Sequence, residues 1–207
     1  MVLRSRPVVL YLFALVLLFI LGVVYLPLQR AILPFLWIAL TLFGANFKSS
    51  ELARFGIMLP KLKSWLWPVL LALIIFPPFT IGYFKVWGLP PAFPNVVETA
   101  KIFAIQFVWV AIPEEMFFRG YMQTKMYERY PNGLNILGVR VGWAIVITSA
   151  LFAGGHVVTK PHIARLAIFF PAIIFGWLRE KTNSVFPAAL FHALCNTLTG
   201  SFEWWAG

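Results

Sequence analysis

Residues 102–119 read Ile102-Phe-Ala-Ile-Gln-Phe-Val-Trp-Val-Ala-Ile-Pro-Glu-Glu-Met-Phe-Phe-Arg119, an apolar run that ends with two adjacent carboxylates, Glu114 and Glu115. About 20 such residues form one bilayer-spanning helix. A charged side chain at that depth costs roughly 2.5–3.5 kcal/mol on insertion scales. Because the chain has only seven acidic residues, we interpret this pair as a functional site inside a membrane segment.

The composition of the whole chain also indicates a membrane protein. Of its 207 residues, 61% are hydrophobic and 12% are charged, whereas an average soluble domain is about half apolar and about a quarter charged. The formal net charge of +10 can indicate nucleic-acid binding. Here, however, the basic residues lie between the apolar runs, as membrane-flanking anchors do. We therefore predict a lipid bilayer as the environment and no nucleic acid as a partner.

The apolar runs predict an all-α fold, a polytopic membrane helix bundle that forms one integral membrane domain over residues 1–207. About seven transmembrane helices are expected, at 7–28, 31–47, 65–84, 99–119, 141–159, 163–178 and 184–202. An eighth, short helix fits within 120–140. The excess of Lys and Arg in alternate connecting segments predicts a cytoplasmic N-terminus. Two proline pairs, Pro77-Pro78 and Pro90-Pro91, predict breaks in or after the third span.

Four further polar side chains interrupt the later apolar runs: Arg119, His156, His192 and Asn196. Glu115 and Arg119 are four residues apart, so they share a helix face and can form an ion pair. Glu114 points about 100° away from Glu115, and the ion pair does not explain it. Burying each of these groups costs several kcal/mol unless they satisfy one another. We therefore expect them to converge in one cavity within the bundle.

Such a set can hydrolyse an amide bond without a serine or cysteine nucleophile. A carboxylate can act as general base on water, with a histidine orienting that water. A second histidine and an asparagine amide can donate hydrogen bonds to the developing oxyanion. The glycine pair Gly154-Gly155 beside His156 would let backbone or substrate approach closely.

Two alternative functions use the same residues. Two histidines and a carboxylate are an established zinc ligand set, which favours a zinc-dependent membrane protease, although the chain has no His-Glu-x-x-His stretch. Paired carboxylates and histidines also serve proton relays. A non-catalytic immunity protein or proton-coupled membrane protein on the same scaffold is therefore the second alternative.

Three motifs within residues 110–200 resemble those of one protease family. Glu114-Glu115-Met-Phe-Phe-Arg119 matches Glu-Glu-x-x-x-Arg, Phe152-Ala-Gly-Gly-His156 matches Phe-x-x-x-His, and His192-Ala-Leu-Cys-Asn196 matches His-x-x-x-Asn. In this order they resemble the CPBP family of intramembrane glutamic proteases, which includes the type II CAAX prenyl endopeptidases. The resemblance implies an intramembrane endopeptidase that needs no metal or cofactor and cleaves a membrane-associated protein or peptide.

The resemblance also implies a role for each residue. Glu114 and His156 would activate water, His192 and Asn196 would stabilise the oxyanion, and Glu115 would complete the catalytic set with Arg119 as its support. At 207 residues the chain suits the prokaryotic branch of the family. That branch includes peptide-maturation, bacteriocin-immunity and protein-sorting proteases, so a prenylated substrate is not implied. We therefore expect the protein in a prokaryotic inner (cell) membrane.

Overall fold

The computed structural model describes residues 7–24, 26–87, 95–159 and 162–206, and over these residues the chain is mostly helical. It forms eight helices and one β-hairpin within those ranges. In chain order they are α1 (Pro7–Val24), α2 (Leu26–Gly44), α3 (Ser49–Arg54), α4 (Leu66–Trp87), α5 (Val96–Arg129), β1 (Gly133–Ile136), β2 (Val139–Gly142), α6 (Trp143–Thr159), α7 (Phe169–Thr182) and α8 (Val185–Ala206). Short 3₁₀ segments, Leu62–Trp65 and Ile163–Ile168, precede α4 and α7.

The helices bear out a helical membrane protein in outline. Two helical stretches in the described ranges, Leu62–Val86 and Val96–Arg129, are long and apolar enough to cross a bilayer. Three shorter apolar helices lie at Pro7–Leu17, Ala31–Gly44 and Trp143–Val158. The number of seven spans stays a prediction.

The β-hairpin is a correction to the all-α prediction, since β1 pairs with β2 in antiparallel register from Gly133↔Gly142 to Ile136↔Val139. Its two turn residues, Leu137 and Gly138, have φ of 51° and 81°, as a type I′ turn requires. All four residues of β1 are exposed, so the strand has no buried face to produce an alternating pattern.

Helix α5 is longer than its predicted span of 99–119. It begins at Val96, where the Asn95 side chain accepts hydrogen bonds from the first-turn amides, and it continues to Arg129. The predicted short helix within 120–140 is therefore the end of α5, followed by the hairpin. Helix α4 likewise runs through Pro77 and Pro78 without ending there, and Pro90-Pro91 lies outside the described residues.

Two π-helical segments of α5, Gln106–Ala111 and Met116–Met122, flank the four-residue α-helical turn Ile112–Glu115. Pro113 has no backbone N–H, and in a regular α-helix its ring would clash with the carbonyl four residues earlier. A local π adjustment next to a proline relieves this conflict. Such segments occur frequently at functional sites.

The hairpin sets the relative depth of α5 and α6. Glu114 precedes the end of α5 at Arg129 by 15 residues, and His156 follows the start of α6 at Trp143 by 13. At about 1.5 Å per residue, both lie roughly 20 Å from the hairpin that joins the two helices. Two residues distant in sequence therefore come to the same depth.

An aromatic cluster packs α1 and α2 against α5. The ring of Trp37 stacks on Phe117 with centroids 4.7 Å apart and lies 6.4 Å from Tyr11. Tyr11 also donates a hydrogen bond from its hydroxyl to the Leu151 carbonyl of α6. A Cβ on Gly155 would lie 2.8 Å from that hydroxyl. A side chain, and not backbone or substrate as expected, thus makes the close approach at Gly155, whereas a Cβ on Gly154 would meet no described atom within 4 Å.

Replacing Gly44 tests how tightly α2 packs on α5. An added Cβ would lie 2.5 Å from Cε2 of the buried Tyr121 ring, and overpacking of this kind typically costs about 1–3 kcal/mol. We expect Gly44→Ala to lower the Tm of the detergent-solubilised protein. Gly82→Ala is the matched control, because its Cβ would meet no described atom within 4 Å. A Tm for Gly44→Ala equal to that of Gly82→Ala would contradict this packing.

Candidate active site

Glu115 connects α5 and α8 through its two oxygens. Its Oε2 lies 3.2 Å from Arg119 Nε, one turn later on α5. Its Oε1 lies 3.0 Å from His192 Nδ1 on α8. Glu115 and Arg119 are 0% exposed and His192 is 2% exposed. The predicted ion pair is therefore present, and it holds a histidine from another helix.

Arg119 is enclosed by groups from α6 and α7. Its Nη2 donates to the Ala172 carbonyl of α7 over 3.1 Å. The guanidinium carbon lies 4.3 Å from the centroid of the Phe152 ring and 5.2 Å from that of Phe175. Cation–π contacts of this kind contribute about 2 kcal/mol or more where the cation is desolvated. These contacts hold Arg119 in place, and Arg119 in turn holds Glu115.

Glu114 has a different environment from its neighbour. Its Oε2 lies 3.9 Å from His192 Nε2, which is too long for a hydrogen bond. This atom has no hydrogen-bond partner among the described residues, although the residue is only 6% exposed. A buried carboxylate oxygen without a partner is costly, so Glu114 is the residue in the cluster whose structural role is least explained.

The two histidines are each anchored through Nδ1. His192 Nδ1 is bound to Glu115, and the ring stacks on Phe175 with centroids 4.8 Å apart. His156 Nδ1 lies 2.9 Å from the Phe152 carbonyl, one turn earlier on α6. A carbonyl only accepts, so Nδ1 of His156 carries the hydrogen and Nε2 of the neutral ring is the acceptor.

His156 lies near the other members of the cluster. It interacts electrostatically with both Glu114 and His192. The Phe152 ring contacts both imidazoles, with centroid distances of 4.6 Å to His156 and 5.6 Å to His192. The structure thus brings both glutamates, the arginine and both histidines near one another, but among them only Glu114 lines the cavity beside the cluster.

Asn196 follows His192 by one turn of α8, and its amide is bound to a residue that the sequence analysis did not select. Its Nδ2 donates to Gln106 Oε1 on α5 over 2.9 Å. Small residues allow the two helices to approach, since Ala189 and Ala193 of α8 pack against Ala111 of α5. The sequence did carry one signal for this contact, since Gln106 is a polar residue within an otherwise apolar helical run.

An apolar cavity of about 360 Å³ opens beside Glu114, between α2 and α5. Glu114 is the one ionisable residue among its described lining residues, which are Ala31, Leu33, Pro34, Trp37, Trp109, Val110 and Glu114. The Trp37 indole nitrogen is buried and has no hydrogen-bond partner in the described part of the chain. The contribution of α2 to the site was not predicted from the sequence, because its lining residues carry no charge.

The described residues contain no group of three or more His, Cys, Asp or Glu side chains arranged to hold a metal ion.

Removing Arg119 is expected to destabilise the protein. Breaking one partner of a buried pair leaves the other charge unpaired and costs about 3–5 kcal/mol, and here the loss would also open the space beside Phe152 and Phe175. Arg119→Ala should therefore lower the Tm in detergent more than Lys101→Ala, which removes an exposed cation from the start of the same helix. Equal Tm values for the two variants would show that the buried pair is not structural.

The sequence of the chain matches one family of known proteins. A family model described as Type II CAAX prenyl endopeptidase Rce1-like matches residues 96–198. A search of curated proteins and a search of solved structures found no match. The matched region runs from the first residue of α5 into α8, and it includes every polar residue of the cluster. The chain belongs to the family of Rce1-like type II CAAX prenyl endopeptidases, and it is therefore a membrane protease that acts on a peptide or protein substrate.

Proposed function

We propose that the protein is an intramembrane glutamic endopeptidase of the CPBP type, which hydrolyses a peptide bond of a membrane-associated protein or peptide. The proposal rests on the environment of Glu114. This buried carboxylate has an oxygen with no hydrogen-bond partner among the described residues, and it lines an apolar cavity beside the Glu115–Arg119–His192 network.

In the first step, Glu114 acts as general base. A water molecule at its Oε2 loses a proton to the carboxylate, and the resulting hydroxide attacks the carbonyl carbon of the scissile bond. His156 orients this water through Nε2, because its Nδ1 is held by the Phe152 carbonyl. The apolar surroundings leave few competing polar groups, so the lone carboxylate oxygen directs the water.

In the second step, His192 and Asn196 stabilise the tetrahedral oxyanion with hydrogen bonds. Since Nδ1 of His192 is bound to Glu115, its Nε2 can donate only when both ring nitrogens are protonated. Glu115 supports catalysis by binding Nδ1 of His192, which holds the ring in place and leaves Nε2 for the oxyanion.

In the last step, the tetrahedral intermediate collapses. The proton held by Glu114 passes to the amide nitrogen, the carbon–nitrogen bond breaks, and the products are a new carboxyl terminus and a new amino terminus. Glu114 is ionised again. All atoms of the added water are thus accounted for. The steps use no catalytic group other than the side chains of this protein.

The cavity between α2 and α5 supports an apolar peptide segment as the substrate. Its lining is apolar except for Glu114, so apolar side chains near the scissile bond can lie against Leu33 and Trp109. The proposal includes a single integral membrane domain over residues 1–207, a cytoplasmic N-terminus, a prokaryotic inner membrane and the prokaryotic branch of the family.

The decisive variant is Glu114→Gln, which keeps the side-chain volume and removes the base. Cells that lack the gene would express the wild type or the variant at equal levels, and mass spectrometry would quantify all protein termini in their membranes. We expect a set of new termini with the wild type and none with Glu114→Gln, because the water is no longer deprotonated. Identical termini from both strains would refute the proposed proteolysis.

The same assay separates the zinc and non-catalytic alternatives. A glutamic protease purified in detergent keeps its ability to produce these termini after a strong chelator has been applied and removed. Loss of activity that added zinc restores would instead support the zinc protease, and an absence of wild-type termini would support the non-catalytic protein.

Filling the cavity tests the substrate position. Ala31 lines the cavity on α2, and Ala31→Trp should reduce the initial rate of product formation by at least about tenfold, since a misplacement of 1 Å can cost about 100-fold. Ala39→Trp adds the same bulk at an exposed position eight residues later on α2, outside the described cavity lining. Equal rates for the two variants would place the substrate elsewhere.

A further inference from the structure

The contact between Gln106 and Asn196 is the polar bridge between α5 and α8 that the proposed mechanism leaves unused. It joins residues 90 positions apart over 2.9 Å, and both side chains are partly buried. Neither the three sequence motifs nor the roles implied by the family include Gln106. Gln106 lies on the same helix as Glu114, and its partner Asn196 lies on the same helix as His192.

An asparagine amide has one acceptor oxygen and one nitrogen with two hydrogens. Because the atom of Gln106 that faces Asn196 is the acceptor Oε1, the facing atom of Asn196 is its nitrogen. One of the two hydrogens is used in this bond, and the second remains on the same nitrogen. While Gln106 presents Oε1, rotating the Asn196 amide by 180° would place its oxygen against that acceptor, and the two oxygens would repel each other.

The π segment of α5 brings Gln106 towards the face of Glu114. In a regular α-helix, eight residues would leave the two side chains about 80° apart. The i→i+5 bonds of the segment Gln106–Ala111 widen the turn and reduce the rotation per residue. The angle between the two side chains is therefore smaller than in a regular helix, and Gln106 faces α8 beside the cluster.

We propose that Gln106 is a positioning residue of the oxyanion site: by accepting a hydrogen bond from Asn196, it fixes the asparagine amide with its nitrogen available as a donor to the substrate oxyanion. This inference rests on the proposed function, because it assigns Asn196 the oxyanion role. Gln106 itself does not touch the reacting atoms. It acts by excluding the amide orientation in which Asn196 would present its oxygen to a negative charge.

The experiment compares the variants Gln106→Leu and Gln106→Glu. Each purified enzyme is added to the labelled membrane fraction of the gene-deleted strain, and mass spectrometry measures how fast new protein termini form. Gln106→Leu keeps the bulk but removes the acceptor. We expect it to lower the initial cleavage rate at least about tenfold, equivalent to one lost hydrogen bond, and by no more than the ~100- to 1,000-fold loss typical of an oxyanion donor. Gln106→Glu keeps an acceptor oxygen and should retain more activity than Gln106→Leu.

A double-variant cycle separates positioning from a purely structural contact. In an Asn196→Ala background, Gln106→Leu should cause no further loss of rate, because the amide that it orients is gone. The matched control is Gln123→Leu on the same helix, since Gln123 is a buried glutamine that donates to the Gly176 carbonyl of α7. Its effects on rate should multiply with those of Asn196→Ala, and it should lower Tm more than Gln106→Leu.

Each outcome decides the inference. A wild-type cleavage rate for Gln106→Leu would overturn the inference. So would an equal loss of rate from Gln106→Leu in the presence and in the absence of Asn196. Neither result would affect the proposed proteolysis, which rests on the Glu114-dependent termini. If Gln106→Glu lost as much activity as Gln106→Leu at unchanged Tm, the acceptor would not be what matters, and the inference would also be wrong. Failure of the proposed function itself is recognisable separately, because the wild type would then produce no new termini.

Discussion

The carboxylate of Glu115 is the constraint on which the site depends. It lies between a guanidinium on its own helix and an imidazole on α8, at 3.2 Å and 3.0 Å, and none of the three residues is more than 2% exposed. A buried charge of either sign is unfavourable alone, so these groups have to be assembled together. Their assembly fixes how α5, α7 and α8 meet, because Arg119 also binds the Ala172 carbonyl of α7.

Two adjacent glutamates have different surroundings, and the mechanism that we propose gives them different roles. Glu115 forms an ion pair with Arg119 through one oxygen and a hydrogen bond with His192 through the other. Glu114, rotated away on the same helix, faces an apolar cavity and keeps an oxygen without a partner among the described residues. The general base that we propose, Glu114, is thus the carboxylate that is not paired with an arginine in the described ranges.

The irregular helix α5 makes the site compact. A regular α-helix would not accommodate Pro113 without a lost hydrogen bond and a clash, and the π segments on both sides of the Glu114-Glu115 turn alter the direction of every side chain that follows. The alanines at the α5–α8 contact then let the backbones approach. Both features favour the contact between Gln106 and Asn196.

The sequence alone determined the helical membrane character and the identity of the polar cluster. Apolar length and composition depend only on local residues, and the cost of a charge in a membrane makes residues such as Glu114, Arg119 and His192 conspicuous without any coordinates. The ion pair between Glu115 and Arg119 was likewise predictable, since residues four apart on a helix are neighbours. The hairpin was not, because β1 is exposed on both faces and carries no periodic pattern.

Only the tertiary structure decided which partners the polar groups have. The binding of His192 to Glu115, the Gln106–Asn196 bridge and the contribution of α2 to the cavity all join residues far apart in sequence. No local pattern encodes such contacts, because they depend on how helices pack and on the altered rotation in the π segments. The physical reason is that side-chain spacing fixes directions within one helix, whereas distances between helices follow from the packing of the whole bundle.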